Sequence, residues 1–254
     1  MIYILIWIII FSILGSIGAI TAASCFMFLS EKIQKLLVPS LMAYAIGTLL
    51  TTALIGLIPE AIEGADLEPH YIMLFVLGGI LFFFFLEKMV IWRNCSDDKC
   101  DVHGEAAGPI ILVGDAFHNF TDGLVIAAAF LTNFAIGVAV GLAIIAHEIP
   151  QETGDFGILL HSGYSRKKSY VYNALSSSTT IFAAILGFYV LGSLNFLVPY
   201  ILAISAASFL YIALSDLTPE LHQKSGIKHS IRQMILIILG ITTMLILFTL
   251  IHNH

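Results

Sequence analysis

The chain has 254 residues and a net charge of -6, with 59% hydrophobic and only 11% charged positions; its mean hydropathy is +0.97. A water-soluble domain carries roughly a quarter charged residues. The composition therefore excludes a protein whose main solvent is water and points to lipid, where long apolar runs need no polar coat.

About twenty apolar residues cross a bilayer. In chain order the predicted spans are 2–29, 38–57, 71–91, 109–131, 134–160, 170–191, 196–217 and 231–251. They make one transmembrane domain over 1–254, an all-α membrane protein of eight helices. Pro39, Pro109 and Pro199 open three of the spans, where a missing N–H costs nothing. Ala23-Ser24-Cys25 resembles a lipoprotein cleavage context, but no basic segment precedes it and the apolar run is too long for a signal core. Cys25, Cys95 and Cys100 form no disulfide framework.

The basic residues test this division. Lys32 and Lys35 follow span one, and Lys88, Arg93 and Lys99 lie in or beside the link after span three. Arg166, Lys167 and Lys168 follow span five, and Lys224, Lys228 and Arg232 follow span seven. No other basic residue exists, so every one falls on the same face. By the positive-inside rule that face is cytoplasmic, the 93–107 link is a cytoplasmic loop, and both termini are extracytoplasmic. Span two ends in Ile58-Pro59-Glu60 and span seven in Thr218-Pro219-Glu220, on opposite faces. This suggests a 3+2+3 arrangement with spans one to three and six to eight as an inverted repeat.

Ionisable residues within a bilayer are costly, and spans four and five hold many. Span four carries Asp115, His118, Asn119 and Asp122, with Asp115, His118 and Asp122 on one helical face. Span five carries a stripe of His147, Gln151 and Asp155, flanked by Glu148 and Glu152. Imidazole with carboxylate and amide oxygens suits zinc and other borderline divalent ions. Pro150 cannot bond the carbonyl of Ala146, which leaves that oxygen for water or an ion. Gly123 and Gly154 leave room for close helix approach. A polar network that merely glues helices explains one such residue, but not two histidines and five acids on adjoining helices. Those acids repel one another unless a cation joins them.

At these residues the chain resembles the ZIP (Zrt/Irt-like) family of divalent metal transporters. The resemblance rests on His118-Asn119-Phe120-Thr121-Asp122-Gly123 and on His147-Glu148-Ile149-Pro150-Gln151-Glu152-Thr153-Gly154-Asp155-Phe156, which is similar to the HExPHExGDF signature of one subfamily. Phe209 to Asp216 in span seven adds to it. The resemblance implies two metals. One would take His118, Asp122, His147 and Gln151, and its neighbour Asn119, Asp122 and Glu148, with Asp122 and Gln151 between them. It also implies import toward the cytoplasm, elevator-like motion and a homodimer. In three places the chain departs from the pattern. Gln151 stands where the subfamily has His, Thr52 and Gly56 where it shows Asp and His, and Thr180 where some relatives have Glu. Gln151 is expected to loosen the site and widen the cargo from Zn²⁺ toward Fe²⁺ or Mn²⁺, with Cd²⁺ as a further candidate.

Smaller features complete the reading. Cys95 to His103 reads first as a solvated polar loop and second as a landing place for metal. The acidic link of Glu60, Glu63, Asp66, Glu68 and His70 would concentrate cations at an outer mouth. The run Phe82 to Phe85 is lipid-facing or packing surface. Asp216 is either a packing residue or part of an exit path. No phosphate-binding loop is present, and no prosthetic group or nucleic-acid partner is expected. The expected home is a bacterial inner membrane. The alternative is an intramembrane zinc-dependent hydrolase, since His147-Glu148-x-x-Gln151 differs by one residue from HExxH. Gln151 in place of the second ligand, Pro150, and a polar stripe several turns long all argue against catalysis, so no enzyme is expected.

Overall fold

In lipid every backbone polar group must be satisfied inside its own segment, so apolar runs of this length become helices. The computed structural model describes residues 2–26, 28–94, 107–222 and 226–252, and in these it forms eight long helices and no strand. They are α1 (Ile2–Phe26), α2 (Glu31–Thr51 continuing through Thr52–Leu57 and Ile58–Gly64), α3 (Pro69–Asn94) and α4 (Ala107–Thr132). Then follow α5 (Phe134–His161), α6 (Arg166–Ser193), α7 (Asn195–His222) and α8 (Ile227–His252). Seven are long and apolar enough to cross a membrane. The helix outside those seven is α4, 26 residues long, in which Asp115, His118, Asn119 and Asp122 interrupt the apolar run. The Cys95 to His103 segment lies outside the described residues.

The helices overrun their apolar spans. α2 begins at Glu31 after an extended Ser30, so Pro39 sits inside the helix and not at its start. α6 begins at Arg166, where the Ser165 hydroxyl accepts the Lys168 N–H at 3.3 Å. Apolarity marks where lipid ends, whereas a helix ends where its orphan N–H groups find a cap. Pro199 does sit in the first turn of its segment, as expected.

Burial is inside out relative to a soluble protein. Leu74, Leu77, Leu81 and Phe85 of α3 and Ile231, Met234, Ile235 and Ile238 of α8 are exposed, whereas Asp115, Asp122, His147, Glu148 and Glu152 are buried. Phe82 and Phe84 are exposed as well. α4 packs chiefly on α6 and on α5, α2 on α8, and α7 on α3.

Two of these contacts are matched. α2 and α7 each contain a six-residue π-helical turn, Thr52–Leu57 and Ile212–Leu217. The next N–H in each, Ile58 and Thr218, bonds the carbonyl five residues back, Ala53 and Ala213. Pro59 and Pro219 explain both, because each ring would strike the carbonyl four residues earlier in a regular helix, and the wider turn moves it away. A Cβ on Gly47 of α2 would strike the Ile237 carbonyl of α8, and one on Gly240 would strike the Tyr44 carbonyl. At the equivalent crossing, a Cβ on Gly79 of α3 would come 2.6 Å from Ala207 of α7. Gly47 and Ala207, like the two π turns, stand 160 positions apart.

Candidate metal centre

Helical spacing puts the polar residues of α4 and α5 on facing surfaces, and the fold sorts them further. A single ligand atom from each of His118, Asp122, His147 and Glu148 can be chosen so that all four lie within 4.8 Å of one another. His147 Nε2 is 3.1 Å from Asp122 Oδ2 and 3.2 Å from His118 Nε2. His118 Nε2 is 3.2 Å from Glu148 Oε1. His118 to Asp122 and His147 to Glu148 are both 3.7 Å. Ligands held about 2.0–2.1 Å from one tetrahedral ion stand about 3.3 Å apart. The spacing of these donors is therefore that of a set able to share one divalent ion.

The donors are held for that task. His147 Nδ1 lies 2.9 Å from the Ala143 carbonyl. A carbonyl can only accept, so Nδ1 carries the proton and Nε2 turns its lone pair to the centre. The His147 ring stands edge-on to Phe209 of α7, with centroids 5.7 Å apart. Asp122, His147 and Glu148 are buried, whereas the His118 side chain is 13% exposed, which makes His118 the open side of the centre. Neither oxygen of Glu148, nor Asp122 Oδ2, has a hydrogen-bond donor.

Asn119 and Gln151, expected beside these four, turn to another residue. Asn119 Nδ2 donates to Asp115 Oδ1 at 2.8 Å, and its Oδ1 accepts from the Thr180 hydroxyl at 2.7 Å. The Gln151 amide also lies against Asp115. Asp115 thus gathers both amides one turn away from the imidazoles. Glu152 accepts from the Ser177 hydroxyl, and Asp155 is close enough to Asp115 and His118 to feel both electrostatically.

Helix α6 supplies the backing that the sequence reading missed. Ser176 donates to the Leu112 carbonyl and Thr179 to the Ala116 carbonyl, both at 2.8 Å. With Thr180 and Ser177, these hydroxyls bolt α6 to α4 and α5. The signal was present as Ser176-Ser177-Ser178-Thr179-Thr180, a hydroxyl run in an otherwise apolar span. Gly123 lets the contact close, since a Cβ there would strike the Thr180 carbonyl and come 2.8 Å from Ala183. Gly154 corrects the expectation made for it. It is exposed, with open space where a Cβ would stand, so it brings no helix close. Thr52 is buried with its hydroxyl unpartnered, and a Cβ on Gly56 would come 2.7 Å from the Phe248 ring. Asp216 lies in the π turn of α7 and is exposed. Near it, Tyr211 donates to Glu87 of α3. In the acidic link, His70 pairs with Glu68 at 3.2 Å.

The family model described as "ZIP Zinc transporter" matches residues 94–248. "Zinc transporter ZIP13" of Pongo abelii is 33% identical over 225 residues, which is 83% of this chain and 66% of that protein. "Zinc transporter ZIP10" of Danio rerio is 35% identical over 145 residues, 54% of this chain and 17% of that protein. "Metal cation symporter ZIP14" of Danio rerio is 28% identical over 295 residues, 83% of this chain and 59% of that protein. The matched stretch is about two thirds or less of the length of each of these relatives.

Proposed function

The chain belongs to the ZIP zinc transporter family, and from that premise we propose that it carries Zn²⁺ or a related divalent ion across a membrane through the α4–α5 centre. The observation that carries this reading is the spacing of His118, Asp122, His147 and Glu148 at 3.1–3.7 Å. Two imidazoles and two carboxylates at these separations, with no lysine or arginine paired to them among the described residues, have a cation as their natural partner. In the proposed cycle the ion enters beside His118 and is held by these four groups. Asn119 and Gln151 then complete its shell when they swing from Asp115. Fe²⁺, Mn²⁺ and Cd²⁺ belong to the proposed cargo because Gln151 offers an amide oxygen in place of an imidazole.

All eight helices are proposed to span the membrane, with both termini outside and import toward the cytoplasm; the one-sided distribution of Lys and Arg supports that orientation. An inverted repeat of α1–α3 and α6–α8 is supported by the paired π turns and by the matched α2–α8 and α7–α3 crossings. Elevator-like motion and a homodimer rest on family resemblance. A bacterial inner membrane rests on the short loops alone, while the relatives named above are animal proteins. The ZIP family is one of transporters and not of enzymes.

The test is metal uptake into proteoliposomes with Zn²⁺, Fe²⁺, Mn²⁺ and Cd²⁺, alongside Asp122→Ala. Saturable flux that vanishes in the variant is expected. Wild-type protein that moves no metal in either orientation overturns the reading.

A further inference from the structure

We propose that Arg166, Lys167 and Lys168, with the exposed ring of Phe28, form a docking site for the headgroup of an anionic phospholipid. The site lies where three helix ends meet, the finish of α1, the finish of α5 and the start of α6. Ile20, Ala23 and Phe156 form a buried cluster there, apart from the main core, with Leu160, Tyr170 and Ala174 packed against it. The Tyr170 and Thr21 hydroxyls, 3.3 Å apart, tie α6 to α1. The link after α1 is folded too. The Phe28 N–H donates to the Cys25 carbonyl at 3.1 Å, and Gln34 Nε2 donates to the Leu29 carbonyl at 2.9 Å. This corner is a built platform.

The first observation is charge without a partner. Arg166, Lys167 and Lys168 are consecutive and exposed, and no ion pair among the described residues includes any of them. Three like charges in a row repel one another, and an anion beside them turns that repulsion into attraction. The second observation is that aromatic rings hold two of the three in place. Arg166 lies over the Phe28 ring at 5.5 Å, which joins the α1–α2 link to the start of α6. Lys168 lies 4.5 Å from the Tyr164 ring and 5.3 Å from that of Tyr172, and these two rings meet edge-on at 5.8 Å. A ring face steadies a cation without neutralising it as a carboxylate would. Side chains ordered beforehand also lose less entropy when a ligand arrives.

The surface around the charges defines the ligand class. Lys167, Val171 and Leu175 recur every four residues on one face of α6, and Val171 and Leu175 are exposed, Leu175 at 69%. Lys167 to Leu175 covers about 12 Å of helix, so charge gives way to apolar surface within the depth of one leaflet. Phe28, 78% exposed, adds apolar surface beside Arg166. A phosphodiester carried on acyl chains matches that profile, whereas a free phosphate would use only its charged end. The bases of α8 offer no such platform. Lys228 and Arg232 stand one turn apart, and no cation–aromatic stack among the described residues includes either. The site requires only that the chain lie in a bilayer, and it is independent of which metal the α4–α5 centre carries.

The experiment is native mass spectrometry of the purified full-length chain titrated with phosphatidylglycerol or phosphatidylcholine, with inorganic phosphate as competitor. Phosphatidylglycerol is expected to bind the wild type more tightly than phosphatidylcholine. Lys167→Gln, whose side chain makes no aromatic stack, should weaken phosphatidylglycerol about fivefold, the contribution of one base near an anionic lipid surface. Arg166→Gln combined with Lys167→Gln should weaken it about twenty-five-fold. Phosphatidylcholine binding should hold in both, and Lys228→Gln should change neither lipid. Lys167→Gln should also melt with the wild type in phosphatidylcholine nanodiscs, which separates lost binding from lost fold. Equal affinity of the wild type for the two lipids overturns the proposal, as does phosphatidylglycerol binding untouched by both variants. A loss with Lys228→Gln as large as with Lys167→Gln would show a diffuse field in place of a site and overturns it too. Phosphate that displaces the lipid as readily as added phosphatidylglycerol does would make this a free-anion site. Failure of wild-type metal uptake in proteoliposomes would instead strike the transport reading and leave the lipid affinities as measured.

Discussion

The α4–α5 seam and the crossing of α2 with α8 are both buried helix contacts, yet they are built on opposite principles. At the crossing, Gly47 and Gly240 bring backbone against backbone, and nothing polar is spent. Without a hydrophobic drive between helices in lipid, such close packing is a principal source of association. At the seam, Asp122, His147, Glu148 and Glu152 are buried with carboxylate oxygens left without donors, an arrangement that destabilises the helix pair until a cation arrives. One region is stable because it is finished. The other, in the proposed function, carries an ion because it is not.

That contrast can be broken or sharpened by substitution. The largest effect is expected from Glu148→Gln, which removes a buried charge but keeps the shape. Zinc uptake should fall to background, and the zinc-dependent rise in melting temperature should vanish. That rise corresponds to about 2.7 kcal/mol at a hundredfold excess over Kd. The metal-free protein should melt higher than wild type, and a lower metal-free melting temperature would mean that Glu148 is a structural partner. Next comes Gly240→Ala, whose added methyl meets the Tyr44 carbonyl and should cost about 2 kcal/mol of stability. Uptake per folded molecule, measured in proteoliposomes normalised to correctly folded protein, should hold.

Gln151→His then exchanges a weak oxygen ligand for an imidazole. It should raise the zinc-to-iron uptake ratio by about tenfold, near 1.4 kcal/mol. A ratio that does not move removes Gln151 from the selectivity argument. The smallest effect is expected from Thr180→Val, which deletes one hydroxyl donor to Asn119. A loss of about 1 kcal/mol in thermal or denaturant unfolding is expected. Zinc affinity should change little, because the Thr180 hydroxyl touches none of the four convergent residues and leaves Asn119 itself in place.

Much of this was legible in the residues. Hydropathy located the helices because lipid forces apolar runs into them, but it misplaced their ends where polar turns such as Glu31 to Lys35 and Arg166 to Ser169 continue the helix beyond the apolar span. Helical periodicity put Asp115, His118 and Asp122 on one face of α4, and the structure keeps them there. Periodicity did not say which of them meet. His147 and Glu148 are adjacent and were assigned to a stripe and its flank, yet both reach the same centre. Gln151 shares the stripe of His147 but turns to Asp115.

The sequence by itself determined the helical class, the family and the two helices that hold the chemistry. Each of these follows from local pattern, whether apolar length, charge placement or ligand spacing along one helix. Only the tertiary structure decided that His118, Asp122, His147 and Glu148 converge while Asn119 turns to Asp115 and Thr180, and that α6 backs this seam. Those facts depend on distances across helices, set by where Gly123 lets α4 meet Thr180 and by which groups the hydroxyls of α6 hold. A one-dimensional spacing rule carries no information on either.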